Sequence, residues 1–399
     1  MNILIISQHF YPEEFRINEI ARELVDKGNN VEVITGLPNY PQGEVYDGYK
    51  DKFEEEYFGV IIHRTKIRPR HSGSLNLFRN YMSFMFNAKK SLKRIKNNID
   101  IVFCFQTSPV FQIRPAVFAK KKFNCPLITM CCDQWPESLN ARGLSKGIAF
   151  NIISNYCTRL YNKCDFILNV APSFIDYNNK VNKVPLNKMD WTIQHSEDSF
   201  SNVDTSKVST KNKTVDLLFA GNIGKVQNVK DIILAYNELK YKDLNIHILG
   251  NGSEYDECNS LIEELKLHEN VIMYGRIPNS EMINYYRKCD ACLLTLSGKT
   301  AIGNTIPSKL TGYMSASKMV IAAIDGDSRK IINESKCGIF TDPDDYHKLA
   351  SIIDEYYSHY DLYKDYGKNG RKYFEKYCTL DVFMNKLDDI FMKFKKEEK

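Results

Sequence analysis

At 399 residues the chain exceeds what one hydrophobic core usually spans, so two domains of about 150–200 residues each are expected. An apolar share of 43 % with mixed charge is that of a globular protein, and no apolar run approaches the roughly 18–20 residues that a membrane span needs. A formal net charge of only +5, with no recognised binding module, argues against nucleic acid as a partner, and eleven cysteines without a secretion signal read as reduced core thiols rather than a disulfide framework.

The opening run Met1-Asn2-Ile3-Leu4-Ile5-Ile6 lacks a basic flank and turns polar at Ser7-Gln8. That suits a first buried strand rather than a signal peptide and predicts a cytoplasmic protein. Residues 14–27 follow as an amphipathic helix with Ile17, Ile20, Ala21 and Leu24 on one face, stopping at Gly28. Strand-like runs at 31–34, 60–62, 101–105, 127–130 and 166–170 then alternate with amphipathic stretches. From 195 to 213 the chain is polar, rich in Ser, Asp, Asn and Lys, and afterwards the rhythm resumes with runs at 215–219, 244–249, 271–274, 291–295, 319–324 and 338–340. Alternation of this kind predicts an α/β protein with two doubly wound, Rossmann-like domains facing a cleft. The expected division is a first Rossmann-like domain at 1–195, a linker at 196–213, a second Rossmann-like domain at 214–380 and a last helix at 381–399 that can return to the first domain.

Ligands of such sheets bind at the carboxyl ends of the strands. After the 215–219 run come Gly221-Asn222-Ile223-Gly224-Lys225, whose glycines can let backbone amides approach a diphosphate or can simply serve a tight turn. Gly250-Asn251-Gly252 matches half a dinucleotide fingerprint, and Arg276 just after the 271–274 run joins the donor-side candidates. In Ile306-Pro307-Ser308-Lys309, Ser308 can cap a helix running to about Ser317, so that free N–H groups, the positive helix end and the Lys309 ammonium converge on one anionic group. The preceding 298–305 loop nearly spells a P-loop but carries Asn304 where the lysine must stand. Cys289-Asp290-Ala291-Cys292 has no second such pair and reads as core packing rather than a zinc or redox site.

In the first half, Asp133 lies just past a strand, where it can face the cleft or cap the next helix; Trp135 and Glu137 accompany it. Arg16 and Asn18 sit in the first βα loop and helix, and Gln106-Thr107-Ser108 can form a hydroxyl-rich acceptor wall or an ordinary capped turn. From Arg64 to Lys96 there are ten basic residues and no acidic one, interleaved with Leu75, Leu77, Phe78, Tyr81, Met82, Phe84, Met85 and Phe86. Such a segment suits docking on an anionic leaflet, although one apolar face must also pack on the sheet.

The order Gly221-Asn222-Ile223-Gly224, Gly250-Asn251-Gly252 and Pro307-Ser308-Lys309 before Tyr313-Met314 resembles the nucleotide-sugar half of the family-4 retaining glycosyltransferases of the GT-B fold. Phe10-Tyr11-Pro12-Glu13, Phe15-Arg16-Ile17-Asn18-Glu19, Leu37-Pro38-Asn39-Tyr40-Pro41 and Asp133-Gln134-Trp135-Pro136-Glu137-Ser138 resemble its surface-polysaccharide branch, which includes O-antigen N-acetyl-fucosaminyl and colanic-acid transferases. The resemblance implies transfer of a sugar from a nucleoside diphosphate sugar, with UDP the expected base, to a polyprenyl-diphosphate-linked saccharide at the inner face of the cell membrane. It implies no metal and no cofactor beyond that co-substrate. It also implies catalytic roles for Asp133, Glu137 and Lys309, donor contacts from Gly221, Asn222, Gly224, Lys225, Arg276, Pro307, Ser308 and Lys309, and acceptor contacts from Arg16, Asn18, Asn39, Tyr40, Gln106 and Trp135. The chain departs from the family at five points: Asn222 and Gln227 stand where an Arg and a Lys are usual, Asn304 and Gly312 where two glutamates are usual, and Cys132 where a histidine often precedes the aspartate, so that only Asp133 carries over. A sugar-nucleotide epimerase and a catalytically inactive nucleotide-sugar-binding subunit of an assembly complex are the competing expectations.

Overall fold

The computed structural model describes residues 1–70, 73–142, 147–196, 198, 200, 214–299 and 305–395. The chain divides into two compact units, Met1–Thr192 with Phe383–Lys399, and Ile193–Val382. Of the 196–213 linker, all but 196, 198 and 200 lie outside the described residues.

The first unit contains β1 (Asn2–Ile6), α1 (Ile17–Asp26), β2 (Asn30–Gly36), β3 (Glu54–Tyr57), β4 (Val60–Thr65), α2 (Ser74–Ser91), β5 (Ile101–Gln106), α3 (Ile113–Phe123), β6 (Leu127–Cys131), α4 (Ile148–Tyr161), β7 (Phe166–Asn169), α5 (Pro172–Lys180) and β8 (Met189–Trp191). Its eight strands run in the order β3-β4-β2-β1-β5-β6-β7-β8. All neighbours are parallel except β3 and β4. Ile3 through Ile6 are wholly buried because helices cover both faces of a parallel sheet, and α1 buries the four residues its spacing predicts. The sequence reading misses β3 and β8. β3 reads Glu-Glu-Glu-Tyr and survives as an edge strand because Phe58 and Gly59, at φ 47° and 78°, form the two-residue turn that folds it back onto β4.

The second unit contains β9 (Val215–Ala220), α6 (Val229–Glu238), β10 (Leu244–Leu249), α7 (Tyr255–Glu264), β11 (Val271–Gly275), α8 (Met282–Lys288), β12 (Ala291–Thr295), α9 (Ser308–Ser315), β13 (Met319–Ala323), α10 (Gly326–Ser335), β14 (Gly338–Thr341), α11 (Tyr346–Ser358) and α12 (Tyr366–Tyr377). Its strand order is β11-β10-β9-β12-β13-β14, parallel throughout. Alternate residues feed opposite faces. Leu217, Phe219, Ile246, Leu293 and Ile321 pack with Ile232, Ile233, Leu349 and Ile353, whereas Leu218, Leu294, Val320 and Ala322 pack with Leu310, Tyr313, Met314 and Phe374. None of the eleven cysteines forms a disulfide, and Cys289 and Cys292 are buried in that second layer.

Helix α13 (Leu380–Phe394) begins in the second unit, and from Phe383 onward belongs to the first. It buries Phe383, Met384, Leu387, Ile390 and Phe391, with the Phe391 ring edge-on to Phe103 at 5.7 Å and Asp388 paired with Lys27 at 2.6 Å. Among the described residues no helix is long and apolar enough to cross a membrane. Because Phe391 is fully buried, Phe391→Ala is expected to destabilise the first unit by about 3–5 kcal/mol. Urea unfolding checks this, and a loss below about 1 kcal/mol would contradict the packing.

Candidate functional site

Each sheet reverses its strand order once, between β1 and β5 in the first unit and between β9 and β12 in the second. The carboxyl ends of those strands are where doubly wound sheets leave a crevice. In the second unit these ends carry the glycine loop and, after β12, the approach to α9.

Backbone packs directly on backbone in the glycine loops. A Cβ on Gly250 would lie 1.8 Å from the Gly221 carbonyl oxygen, and one on Gly252 would lie 2.3 Å from that of Ile223. Gly221 donates its N–H to Leu249 at 2.9 Å and Ile223 donates to Asn251 at 3.0 Å. Those two amides are therefore spent inside the fold, which corrects the expectation that the whole 221–224 run faces a diphosphate. The Asn222 and Gly224 amides make no such bond among the described residues. The Asn222 side chain donates to Gln227 Oε1 at 2.7 Å, so the two neutral residues at the usual cationic positions bind each other above Gly224.

Pro307, not Ser308, occupies the N-cap position of α9, and it offers no side-chain acceptor. Ser308 is the first helical residue and is exposed, so its hydroxyl does not cap. The Leu310 amide closes onto the Pro307 carbonyl at 3.0 Å, which leaves the Ser308 and Lys309 amides for another acceptor. Tyr313, one turn on, is fully buried and accepts the Ala220 N–H at 3.1 Å, tying α9 to the end of β9.

The Lys309 side chain lies across the glycine loop. A Cβ on Gly221 would stand 2.1 Å from Lys309 Cε and 2.8 Å from Nζ, and Nζ sits 4.9 Å from the centre of the Phe219 ring. Burial alone pulls the Lys309 amine down to about 8, with no carboxylate to hold it up. Lys225 and Arg276 are exposed and stand apart from this arrangement, Lys225 lying in the field of Glu257. Gly312 borders open space, since a Cβ there would meet nothing within 4 Å. Asn304 lies outside the described residues.

In the first unit several residues predicted to touch an acceptor turn out to brace loops. Gln106 is wholly buried, takes the Tyr161 hydroxyl at 2.9 Å and donates to the Asp133 carbonyl at 3.2 Å. Trp135 is buried, its Nε1 donating to Ser108 Oγ at 3.1 Å. Asn39 is wholly buried, its amide group donating to the Leu37 carbonyl and accepting the Arg70 N–H. Asn18 accepts the Tyr11 N–H at 3.0 Å and donates to the Glu13 carbonyl at 2.8 Å. For Asn18, Asn39 and Gln106 the reason is common: loop N–H and C=O groups removed from water need partners, and nearby amide side chains supply them. Arg16 reaches the surface, pairing with Glu19 at 3.3 Å, as does Tyr40 beneath the Arg70 guanidinium. Asp133 is half-buried just past β6, and Glu137 opens a short 3-10 turn with its amide on the Tyr177 hydroxyl at 3.1 Å. The sequence reading passes over His9 and Glu13, a buried pair whose i, i+4 spacing after the first strand is their only signal.

Two family profiles match most of the chain, Glycosyltransferase Family 4 over residues 14–190 and Glycosyl transferases group 1 over residues 202–373. The chain is a family-4 glycosyltransferase. Its relatives include the probable glycosyltransferase WbjE of Pseudomonas aeruginosa, 22 % identical with 69 % of this chain and 70 % of WbjE covered. Another is the putative colanic acid biosynthesis glycosyl transferase WcaI of Escherichia coli, 19 % identical with 79 % and 81 % covered. Among solved structures, Anabaena HepE in complex with UDP-glucose superposes with a TM-score of 0.70 at 14 % identity, covering 98 % of this chain and all of HepE. The glycosyltransferase keeps the fold of its neighbours, and in its glycine loop Asn222 and Gln227 bind each other while the Lys309 side chain packs on Gly221.

A nucleotide whose diphosphate meets Lys309 is expected to bind in a pH-sensitive way. An anion stabilises the ammonium, so the bound form titrates higher than the free value of about 8, and affinity falls as pH rises through that value. UDP affinity by calorimetry is expected to stay level from pH 6.5 to 7.5 as far as Lys309 is concerned and to drop about tenfold by pH 9. Lys309→Met is expected to bind weakly at every pH, and a level wild-type profile up to pH 9 would remove Lys309 from the nucleotide site.

Proposed function

We propose that this glycosyltransferase moves an N-acetylated hexosamine or deoxyhexosamine from a UDP-sugar to a lipid-linked saccharide, with retention at the anomeric carbon, in the synthesis of capsule, O-antigen or exopolysaccharide. The observation that carries the reading is the desolvated Lys309 amine, laid across the Gly221 loop beside the open amides of Ser308 and Lys309. Such a group costs stability until an anion meets it, and a diphosphate suits the space it faces. Support for the base comes from HepE, which was solved with UDP-glucose, and for the pathway from WcaI, named for colanic acid.

The acceptor oxygen bonds to the anomeric carbon as the bond from that carbon to the diphosphate oxygen breaks. The electron pair departs with the diphosphate, which also receives the hydroxyl proton. Lys309 and the amides of Asn222, Gly224 and Ser308 stabilise the growing charge, a role for preorganised donors and cations in place of a strong base. Asp133 and Glu137 orient the acceptor. The nucleoside diphosphate sugar is the co-substrate and no metal or further cofactor takes part.

The enzyme works peripherally on the inner face of the cell membrane. Leu77, Tyr81, Phe84 and Met85 of α2 are core residues, but Phe78 and Phe86 remain exposed beside Arg79, Lys89 and Lys90. α2 packs on α3 and α3 on α4, whose first turns expose Ile148 and Ile152. Cations and bare apolar side chains together suit an anionic leaflet.

A panel of UDP-N-acetylhexosamines and UDP-N-acetylfucosamine, incubated with polyprenyl-diphosphate-linked N-acetylglucosamine and followed by mass spectrometry, is expected to yield a product heavier by one sugar. Lys309→Ala is expected to lower its rate by roughly one to three orders of magnitude. Nucleotide binding without product would favour the inactive subunit, and conversion of donor alone would favour the epimerase. Flotation with phosphatidylglycerol vesicles checks the docking surface: wild type is expected to float and Phe86→Ser with Ile152→Ser to remain largely below, and equal flotation of both would discard that surface.

A further inference from the structure

β1 ends where the first sheet reverses its strand order, and the loop that follows it buries a histidine against a glutamate. His9 and Glu13 are 3 % and 2 % exposed, and His9 Nδ1 lies 2.8 Å from Glu13 Oε2. The second carboxylate oxygen, Oε1, accepts the backbone N–H groups of Asn39 and Tyr40, each at 2.7 Å. Phe15 stacks on the imidazole at 4.9 Å and Tyr40 meets it edge-on at 5.5 Å. Asn18 holds the loop closed through its bonds to Tyr11 and Glu13. Every degree of freedom of the His9 ring is thereby removed.

A carboxylate has no proton to give, so Nδ1 is the donor in the bond to Glu13, and in the neutral ring the lone pair stands on Nε2. Nε2 has no partner among the described residues, yet it is not sealed from solvent as Nδ1 of His63 is. A fixed imidazole whose one open atom is an acceptor, at a topological switch point, is built to receive a hydroxyl. The ring of Tyr40, 37 % exposed beside it, offers an apolar surface to the C–H side of a sugar.

We propose that His9 Nε2 accepts a hydrogen bond from a hydroxyl of the saccharide acceptor, with Glu13 as the positioning residue that sets its tautomer. This assignment rests on the glycosyl transfer proposed above. Glu13→Gln tests the tautomer, because the two backbone N–H groups keep the amide oxygen of a glutamine and turn its NH2 toward Nδ1. The imidazole must then carry its proton on Nε2, where it can no longer accept.

Wild type, His9→Ala and Glu13→Gln are compared for acceptor kcat/KM with the UDP-sugar panel and polyprenyl-diphosphate-linked N-acetylglucosamine, for UDP affinity, and by 15N spectra of the labelled histidines. Both variants are expected to lose roughly ten- to hundredfold in acceptor kcat/KM with UDP affinity unchanged. The wild-type spectrum is expected to show His9 protonated on Nδ1, and Glu13→Gln to show it on Nε2. A His9→Ala enzyme within twofold of wild type in acceptor kcat/KM overturns the proposal, as does a wild-type His9 protonated on Nε2. Absence of product from wild type with every pair, UDP binding being intact, removes glycosyl transfer itself and this role with it.

Discussion

Two peptide units that meet without side chains between them set the geometry of the second unit. Gly250 approaches the Gly221 carbonyl more closely than any residue with a Cβ could, and Gly252 does the same at Ile223. This contact brings the ends of β9 and β10 into one continuous backbone surface, and Tyr313 extends it to α9 by holding the Ala220 N–H. Lys309 can lie across the glycine loop only because Gly221 leaves room for its methylenes. The fold thus sacrifices side-chain volume at three loop positions to put one amine in a place poor in water.

The consequence is electrostatic. Desolvation disfavours the ammonium, and among the described residues no carboxylate offsets that cost; Lys225, the other cation of the loop, is exposed. Asn222 and Gln227, both neutral, satisfy one another instead.

The alternation of apolar runs and amphipathic helices made twelve of the fourteen strands legible before any coordinates, because parallel strands buried on both faces must be apolar at every position. β3 and β8 escaped that reading: an edge strand of three glutamates and a tyrosine, and one of three residues, have no need of continuous hydrophobicity. At the candidate site, the glycine loop and Lys309 were legible because close backbone approach and helix starts demand particular residue types. The roles of Asn18, Asn39, Gln106 and Trp135 were not, since an amide or indole that braces a buried loop carries the same letter as one that reaches for a sugar. His9 and Glu13 were missed for the converse reason: their pairing depends on Oε1 being claimed by Asn39 and Tyr40, residues brought there only by the fold.

The depressed basicity of Lys309 also gives the protein a chemical address. Near pH 8 about half of its amine is unprotonated and nucleophilic, whereas an ordinary exposed lysine, near 10.4, is almost entirely ammonium. An aldehyde or activated ester delivered at modest alkalinity therefore finds a larger free-base fraction here than on ordinary exposed lysines, set against the limited access that burial leaves. The burial that makes the side chain a receptor for anions also makes it an electrophile trap, and an occupied site shields it from that chemistry.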